Sequence, residues 1–184
     1  PVLFIYDLTK PTATVSYPMN NTSYRTLTTI SGIYYDKSPG EQYQAEIKIQ
    51  DLVNGLYAQT GGGWGAEVWI SSVNLPTNFL LYQTSWTYIP NVTWTSGKRY
   101  NIVSRARDRA TNEQNIFVVG VSSVIFTFDN TAPQSGVSYP VSQYVNSLTF
   151  ISGTVVDQPA PYNVGITSTT NTDAVKLVIK NQTD

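Results

Sequence analysis

The sequence predicts an all-β fold, short strands packed as a β-sandwich, and three observations predict it. Apolar and polar residues alternate with period two in every informative segment, and none carries a helical period. Turn-forming residues interrupt the chain at short intervals, at Pro18 to Asn21, Ser38-Pro39-Gly40, Asn54-Gly55, Gly61 to Gly63, Pro90-Asn91 and Ser96-Gly97. Finally, the chain repeats itself: Phe4 to Pro18 (FIYDLTKPTATVSYP) aligns without gaps on Phe126 to Pro140 (FTFDNTAPQSGVSYP).

Taken in order, Thr14 to Tyr17 and Leu27 to Tyr35 are β-branched and aromatic runs bounded by turn signals, as strands are. Ala45, Ile47 and Ile49 alternate with Gln44, Glu46, Lys48 and Gln50, which gives a strand with one buried and one wet face. Asn54-Gly55 follows as a type I′ hairpin signal, because both central positions need positive φ. Leu56 to Gln59, Ala66 to Ser71 and Ser85 to Ile89 are further strands. Tyr100, Ile102, Ser104 and Ala106 then alternate with Asn101, Val103, Arg105 and Arg107, and Ile116 to Phe128 is the last strand of the unit. About seven strands in roughly 120 residues fit an immunoglobulin-like sandwich lacking the disulfide. The expected core is Val15, Leu27, Ile30, Ile47, Ile49, Trp69, Trp86, Tyr100, Ile102, Phe117 and Val119. Gly32 and Gly153 sit mid-strand, where a glycine either makes room for a facing aromatic, Trp86 or Trp94, or marks a bulge.

The repeat sets the domain organisation. Its first block matches at an offset of 122 residues; Leu27, Thr28, Ile30, Ser31, Gly32 and Asp36 then fall on Leu148, Thr149, Ile151, Ser152, Gly153 and Asp157 at 121. After an insertion, Ala45, Ile47 and Ile49 correspond to Val175, Leu177 and Ile179, so Asp184 stands where Asn54 does and a glycine is expected to follow it. Residues 1–7 read as the last strand of a preceding repeat, 8–130 as a complete domain, and 131–184 as the first strands of a following one. A tandem array is favoured over one duplicated closed fold, since an incomplete unit exposes unpaired edges.

Composition excludes most chemistries. With no Cys and no His, thiol nucleophiles, Ser-His-Asp triads, disulfides and His- or Cys-ligated metals are ruled out within these residues. A net charge of -1 with 12% charged residues leaves no basic footprint for nucleic acid and no polybasic membrane patch. No apolar run reaches the roughly 18 residues of a membrane span. Thirteen Tyr and four Trp supply an ample core.

The string FDNTAP at Phe128 to Pro133, followed by LTFISGTVVD at Leu148 to Asp157, resembles the start of bacterial Ig-like domains that occur in tandem in large surface and adhesin-like proteins. RYNIVSRARDRATNEQ at Arg99 to Gln114 resembles their penultimate strand and turn, with Thr111 where that pattern has Gly. NGLYAQTGGGWGAEVWI and SWTY resemble a Trp-rich variant. The resemblance implies an extracellular, cell-surface array, a stalk, sheath or filament, that is structural or adhesive and not an enzyme. Its expected partners are neighbouring repeats or identical subunits, with surface glycans as a further class. A filament version would use Val2 to Asp7 as a donated strand.

In related modules carboxylates at unit boundaries can hold calcium, which takes six to eight oxygens. Asp7, Asp36, Asp108, Asp129 and Asp157 recur at boundaries or strand ends; Asp129, Asn130 and Asp157 are the expected calcium cluster, against an Asx turn at Asp129-Asn130 and an ion pair of Asp108 with Arg105 or Arg107. No other cofactor is expected. For the alternative function, a carbohydrate-binding module, Trp64, Trp69 and Tyr57, with Tyr82 and the Gly61 to Gly63 loop, offer a stacking platform. Glu41, Glu46, Glu67 and Asp108 have no spacing that predicts a glycosidase pair. Lys10, Lys48 and Lys98 are not expected in a buried Lys–Asn cross-link, and the sequons at Asn20, Asn21, Asn91 and Asn181 carry little weight.

Overall fold

The alternating segments form the two longest strands of the computed structural model, which describes residues 1–74, 77–157 and 175–180. Among these the chain is all β, without a helix, and divides into two compact units, Pro1–Asp129 and Asn130–Asp184.

In the first unit, β1 (Thr12–Tyr17), β3 (Ile30–Tyr35), β9 (Ser85–Tyr88) and β8 (Phe79–Leu81) form an antiparallel sheet in that order. A second sheet runs β2 (Thr22–Tyr24), β11 (Ser123–Phe128), β10 (Lys98–Asp108), β4 (Gln42–Asp51), β5 (Tyr57–Ala58), β6 (Trp64–Gly65), and β7 (Ile70–Ser71) also pairs with β4. Among the described strands of this unit, β2 against β11 is the one parallel pair. Both sheets feed one core: Val15, Ile30, Phe79, Trp86 and Tyr88 from the first, Ile47, Ile49, Tyr100, Ile102, Val124 and Phe126 from the second. The alternation in β10 is kept, with Tyr100, Ile102, Ser104 and Ala106 all buried on one face.

Gly32 lies in β3 opposite both Val15 and Trp86. A Cβ there would overlap the Thr14 carbonyl and stand 2.5 Å from the Trp86 ring, so the glycine gives the indole its place. The β1–β3 ladder also carries a bulge between Val15 and Tyr17. The outer edge of β1 is taken up by one side chain and one loop: Gln114 Oε1 accepts from the Ala13 N–H at 2.6 Å, its Nε2 donates to the Ala13 carbonyl, and the Val15 N–H donates to Val121 O.

Three expectations need correction. Ile116 to Val121 is an exposed loop and not part of the last strand: Phe117 is 40% and Val119 70% exposed, so neither is core. Its backbone bonds turn inward, with Val121, Ser122 and Ser123 N–H all donating to Val118 O around Gly120 at φ 79°. Trp69 is half-buried, outside the core, because Ala66 to Ser71 forms only the short β7 and leaves Trp69 before it. The Asn54-Gly55 turn is no two-residue type I′ hairpin, since only Gly55 has positive φ (72°). Instead the Asp51 N–H donates to Leu56 O, closing a four-residue loop, and Asp51 Oδ1 accepts from the Val53 and Asn54 N–H groups. The short β2, β6 and β8 are not among the expected strands.

In the second unit β12 (Gln134–Tyr139) pairs antiparallel with β13 (Ser152–Val156). Val137 opposes Gly153 and Tyr139 opposes Ser152 across a bulge, as Val15 opposes Gly32 and Tyr17 opposes Ser31 in the first unit. Tyr17-Pro18 and Tyr139-Pro140 are both cis. Val175 to Lys180, the counterpart of the start of β4, carries no strand. The insertion and Asp184 lie outside the described residues.

Candidate functional site

Three carboxylates meet at the end of the first unit where β3 stops, β10 stops and the segment before β1 arrives. Asp36 directly follows β3, Asp108 ends β10, and Asp7 belongs to the strandless segment Pro1 to Pro11, where Val2 to Tyr6 is exposed. One ligand atom from each lies within 4.8 Å of the other two. All three are nearly excluded from solvent, at 8%, 6% and 1% exposure for Asp7, Asp36 and Asp108.

Each carboxylate is aimed by local hydrogen bonds. Thr9 donates its N–H (2.9 Å) and its hydroxyl (2.5 Å) to Asp7 Oδ1. The Lys37 N–H donates to Asp36 Oδ1 at 2.9 Å. Asn112 donates its N–H to Asp108 Oδ1 and its side-chain amide to Asp108 Oδ2, both at 2.8 Å, and the same amide reaches Asp7 O at 3.1 Å. Asp7 Oδ2 and Asp36 Oδ2 are left buried without a hydrogen-bond partner. Both point at the same place beside Gly40: a Cβ on that residue would collide with Asp36 Oδ2 and lie 2.7 Å from Asp7 Oδ2. A cavity of about 200 Å³ opens there, lined by Ile5, Asp7, Pro39, Gly40, Glu41, Arg109 and Ala110.

The electrostatics follow from this arrangement. Burial, with added repulsion from Asp7 and Asp108, holds the Asp36 carboxyl above the ordinary carboxylate range against the pull of the Lys37 N–H. Asp7 is held below it, first by the Thr9 hydroxyl and then by the Thr9 N–H. The nearest lining cation, Arg109, is turned outward: it pairs with Glu41 at 2.9 Å, both largely exposed, and stacks over Tyr43. The turn that presents Asn112 holds Thr111 at φ 72°, so this chain keeps the left-handed bend with a β-branched residue.

The expected ion pairs of Asp108 do not form. Arg105 pairs with Glu46 and Glu113, each at 2.5 Å, and Arg107 pairs with Glu113. Both arginines lie on the outer face of β10, opposite the face that buries Ala106 and Asp108. Of the expected calcium residues, Asp129 ends the first unit with Ser96 Oγ donating to its Oδ1 at 2.7 Å, and Asn130 begins the second. Asp157 is 2% exposed, and its Oδ1 is buried without a partner.

The aromatic residues are placed on opposite faces of the second sheet. Trp64 pairs with the buried Ala58 and stacks on Tyr100 (5.3 Å between ring centroids), at the edge of the core. The Trp69 ring is met by Arg105 (4.1 Å) and by Lys48 (4.9 Å), and Lys48 also lies over the Tyr57 ring at 5.9 Å. Trp64 is therefore separated from Tyr57 and Trp69, while Tyr82 lies at the far edge of the first sheet and is exposed. Glu46, Glu67 and Glu41 are each engaged by a cation. Lys98 is mostly buried against Asp51 at 2.6 Å, and Asp51 also accepts from the Asn54 amide, but Asn54 itself is exposed to water.

No protein-family model and no curated protein matches the chain. Among solved structures, one of murine CRIg matches with 11% identity over 65% of this chain and 96% of that one, at a TM-score of 0.29. Among the described residues no helix is long and apolar enough to cross a membrane.

Proposed function

We propose that the chain is part of a tandem array of Ig-like β-sandwich units that acts outside the cell as a structural or adhesive stalk, sheath or filament, without enzymatic activity. The observation that supports it is the repeated strand pair: β1–β3 and β12–β13 share register, bulge and mid-strand glycine across an offset of 121 to 122 residues. A unit of this kind buries its own core and meets its neighbours only at its ends, so its work is to set distance and hold shape. Asp129 and Asp157 are the repeat counterparts of Asp7 and Asp36, and calcium at Asp129, Asn130 and Asp157 belongs to this proposal.

The test is the denatured mass of the native polypeptide together with its extension under force. An array predicts a mass well above 20.4 kDa and a sawtooth of evenly spaced unfolding steps, one per unit of roughly 120 residues. A native mass of 20.4 kDa with a single unfolding step is the result that overturns it. The carbohydrate-binding alternative predicts quenching of tryptophan fluorescence by cell-surface polysaccharide, and it fails if the spectrum is indifferent to every glycan offered.

A further inference from the structure

We propose that the outer face of the second sheet, from Trp69 to the loop Ile116 to Val121, is a self-association surface that pairs with the same face of a second copy of this chain. The proposal goes beyond the array reading and does not rest on it. That reading joins units of one chain end to end, whereas this face is a sheet surface of the unit Pro1–Asp129.

The loop supplies the apolar centre. Ile116, Val118, Val119 and Val121 are 72%, 52%, 70% and 45% exposed, and no charged residue stands between Glu113 and Asp129. A segment that had only to carry the chain from β10 to β11 would be polar, because a contiguous apolar patch left in water stabilises nothing and marks an interaction site. Nor is the segment slack. Val118 O accepts from three N–H groups, the Val118 N–H donates to Ser122 Oγ at 2.8 Å, and the Gly120 N–H donates to Ser123 O at 2.7 Å. Apolar side chains held on a fixed backbone lose little further freedom when a partner arrives, which is the preorganisation that a binding surface uses. Phe117 carries the patch onto the sheet, its ring 6.0 Å from that of Trp69. Trp, Phe and Arg are the side chains enriched in protein interfaces.

Charge selects the occupant. Around Trp69 the face carries three cations, Lys48, Arg105 and Arg107, and three anions, Glu46, Glu67 and Glu113. All six are paired within the face: Lys48 with Glu67, Arg105 with Glu46 and Glu113, Arg107 with Glu113. Lys48 and Arg105 also lie over the Trp69 ring. The face therefore has no net charge, and it gives a polyanion or a strongly acidic or basic protein nothing to be steered by. A lipid surface would accept the apolar loop but would strip water from the six charged groups beside it. A neutral face with an apolar centre and both signs around it is complementary to itself, as an isologous contact across a two-fold axis requires. Because β4 and β10 are central strands, the pairing uses side chains and not a sheet edge.

The experiment is sedimentation velocity of the 184-residue chain from about 1 µM to about 1 mM, on the wild type, Val119→Asp and Tyr82→Ser, with a melting curve for each. Wild type should pass from monomer to dimer across that range. Its dissociation constant should change less than about twofold between roughly 50 and 500 mM NaCl, since the charges are already paired within each copy. Val119→Asp should weaken association at least about tenfold by placing an unpaired carboxylate in the contact. It should melt within about 1 °C of wild type, because Val119 is exposed in the single unit. Tyr82→Ser, exposed at the far edge of the first sheet, should dimerise as wild type does. A wild-type chain that stays monomeric at about 1 mM overturns the proposal, and so does one that instead sediments as a monomer with phosphatidylcholine vesicles. Undiminished association of Val119→Asp, or a tenfold weakening by salt, overturns it equally. None of these outcomes bears on the mass or the unfolding steps that test the array.

Discussion

The first unit handles buried acids in two opposite ways. On the outer face of the second sheet, Glu46 and Glu113 are tied to Arg105 and Arg107, and at the β4–β5 turn Asp51 is tied to Lys98. At the end of the same sheet Asp108 meets Asp7 and Asp36, and among the described residues no Lys or Arg forms a salt bridge with any of the three. The difference teaches that a buried carboxylate is not in itself a sign of strength or weakness. Its meaning depends on whether the chain supplies the opposite charge or leaves it to the solution.

Neutralising these acids one at a time should therefore change sign across the molecule. Asp51→Asn has the largest expected effect, a loss of about 3 kcal/mol in denaturant unfolding, because it strands Lys98 and weakens the bonds to Val53 and Asn54. Glu46→Gln should cost about 1.5 kcal/mol by the same measurement, since Arg105 keeps Glu113 and the face of Trp69. Asp36→Asn should go the other way and stabilise the chelated protein by about 1 kcal/mol, as it removes a buried charge facing two others; a loss comparable to that of Glu46→Gln would break the contrast. Thr111→Gly should add about 1 kcal/mol by relieving a left-handed β-branched residue, and the gain should be equal in chelator and in calcium. A gain confined to one condition would mean that the turn and the carboxylates are coupled through Asn112.

Much of this was legible in the residues, and the exceptions have physical causes. β4 and β10 were readable because Ala45, Ile47 and Ile49, like Tyr100, Ile102, Ser104 and Ala106, fill the core from one face with period two, although the face expected to be wet also buries Gln44, Glu46 and Val103. The run Ile116 to Val121 misled because it is apolar without alternating, and apolarity alone does not distinguish a buried strand from a loop bent back on Val118. Gly32 announced a tight approach, and Trp86 proved to be the ring that needs it. The five recurrent aspartates were visible, but the grouping found in the first unit was not. The repeat equates Asp7 with Asp129 and Asp36 with Asp157, but that equation alone does not bring Asp7 and Asp36 together. Asp108 joins them only through the long-range pairing of β10 with β4, which no local pattern encodes.

Gln114 has a consequence outside the folded unit's own stability. A bare strand edge is a template on which another chain can add itself, and β-rich molecules carrying similar sequences side by side are especially exposed to such mispairing. By presenting its amide to both the N–H and the carbonyl of Ala13, Gln114 imitates the next strand without being one, and the Val121 carbonyl closes the neighbouring position at Val15. Protection of the β1 edge thus rests on one buried, uncharged side chain outside the hydrophobic core and on the loop carbonyl beside it.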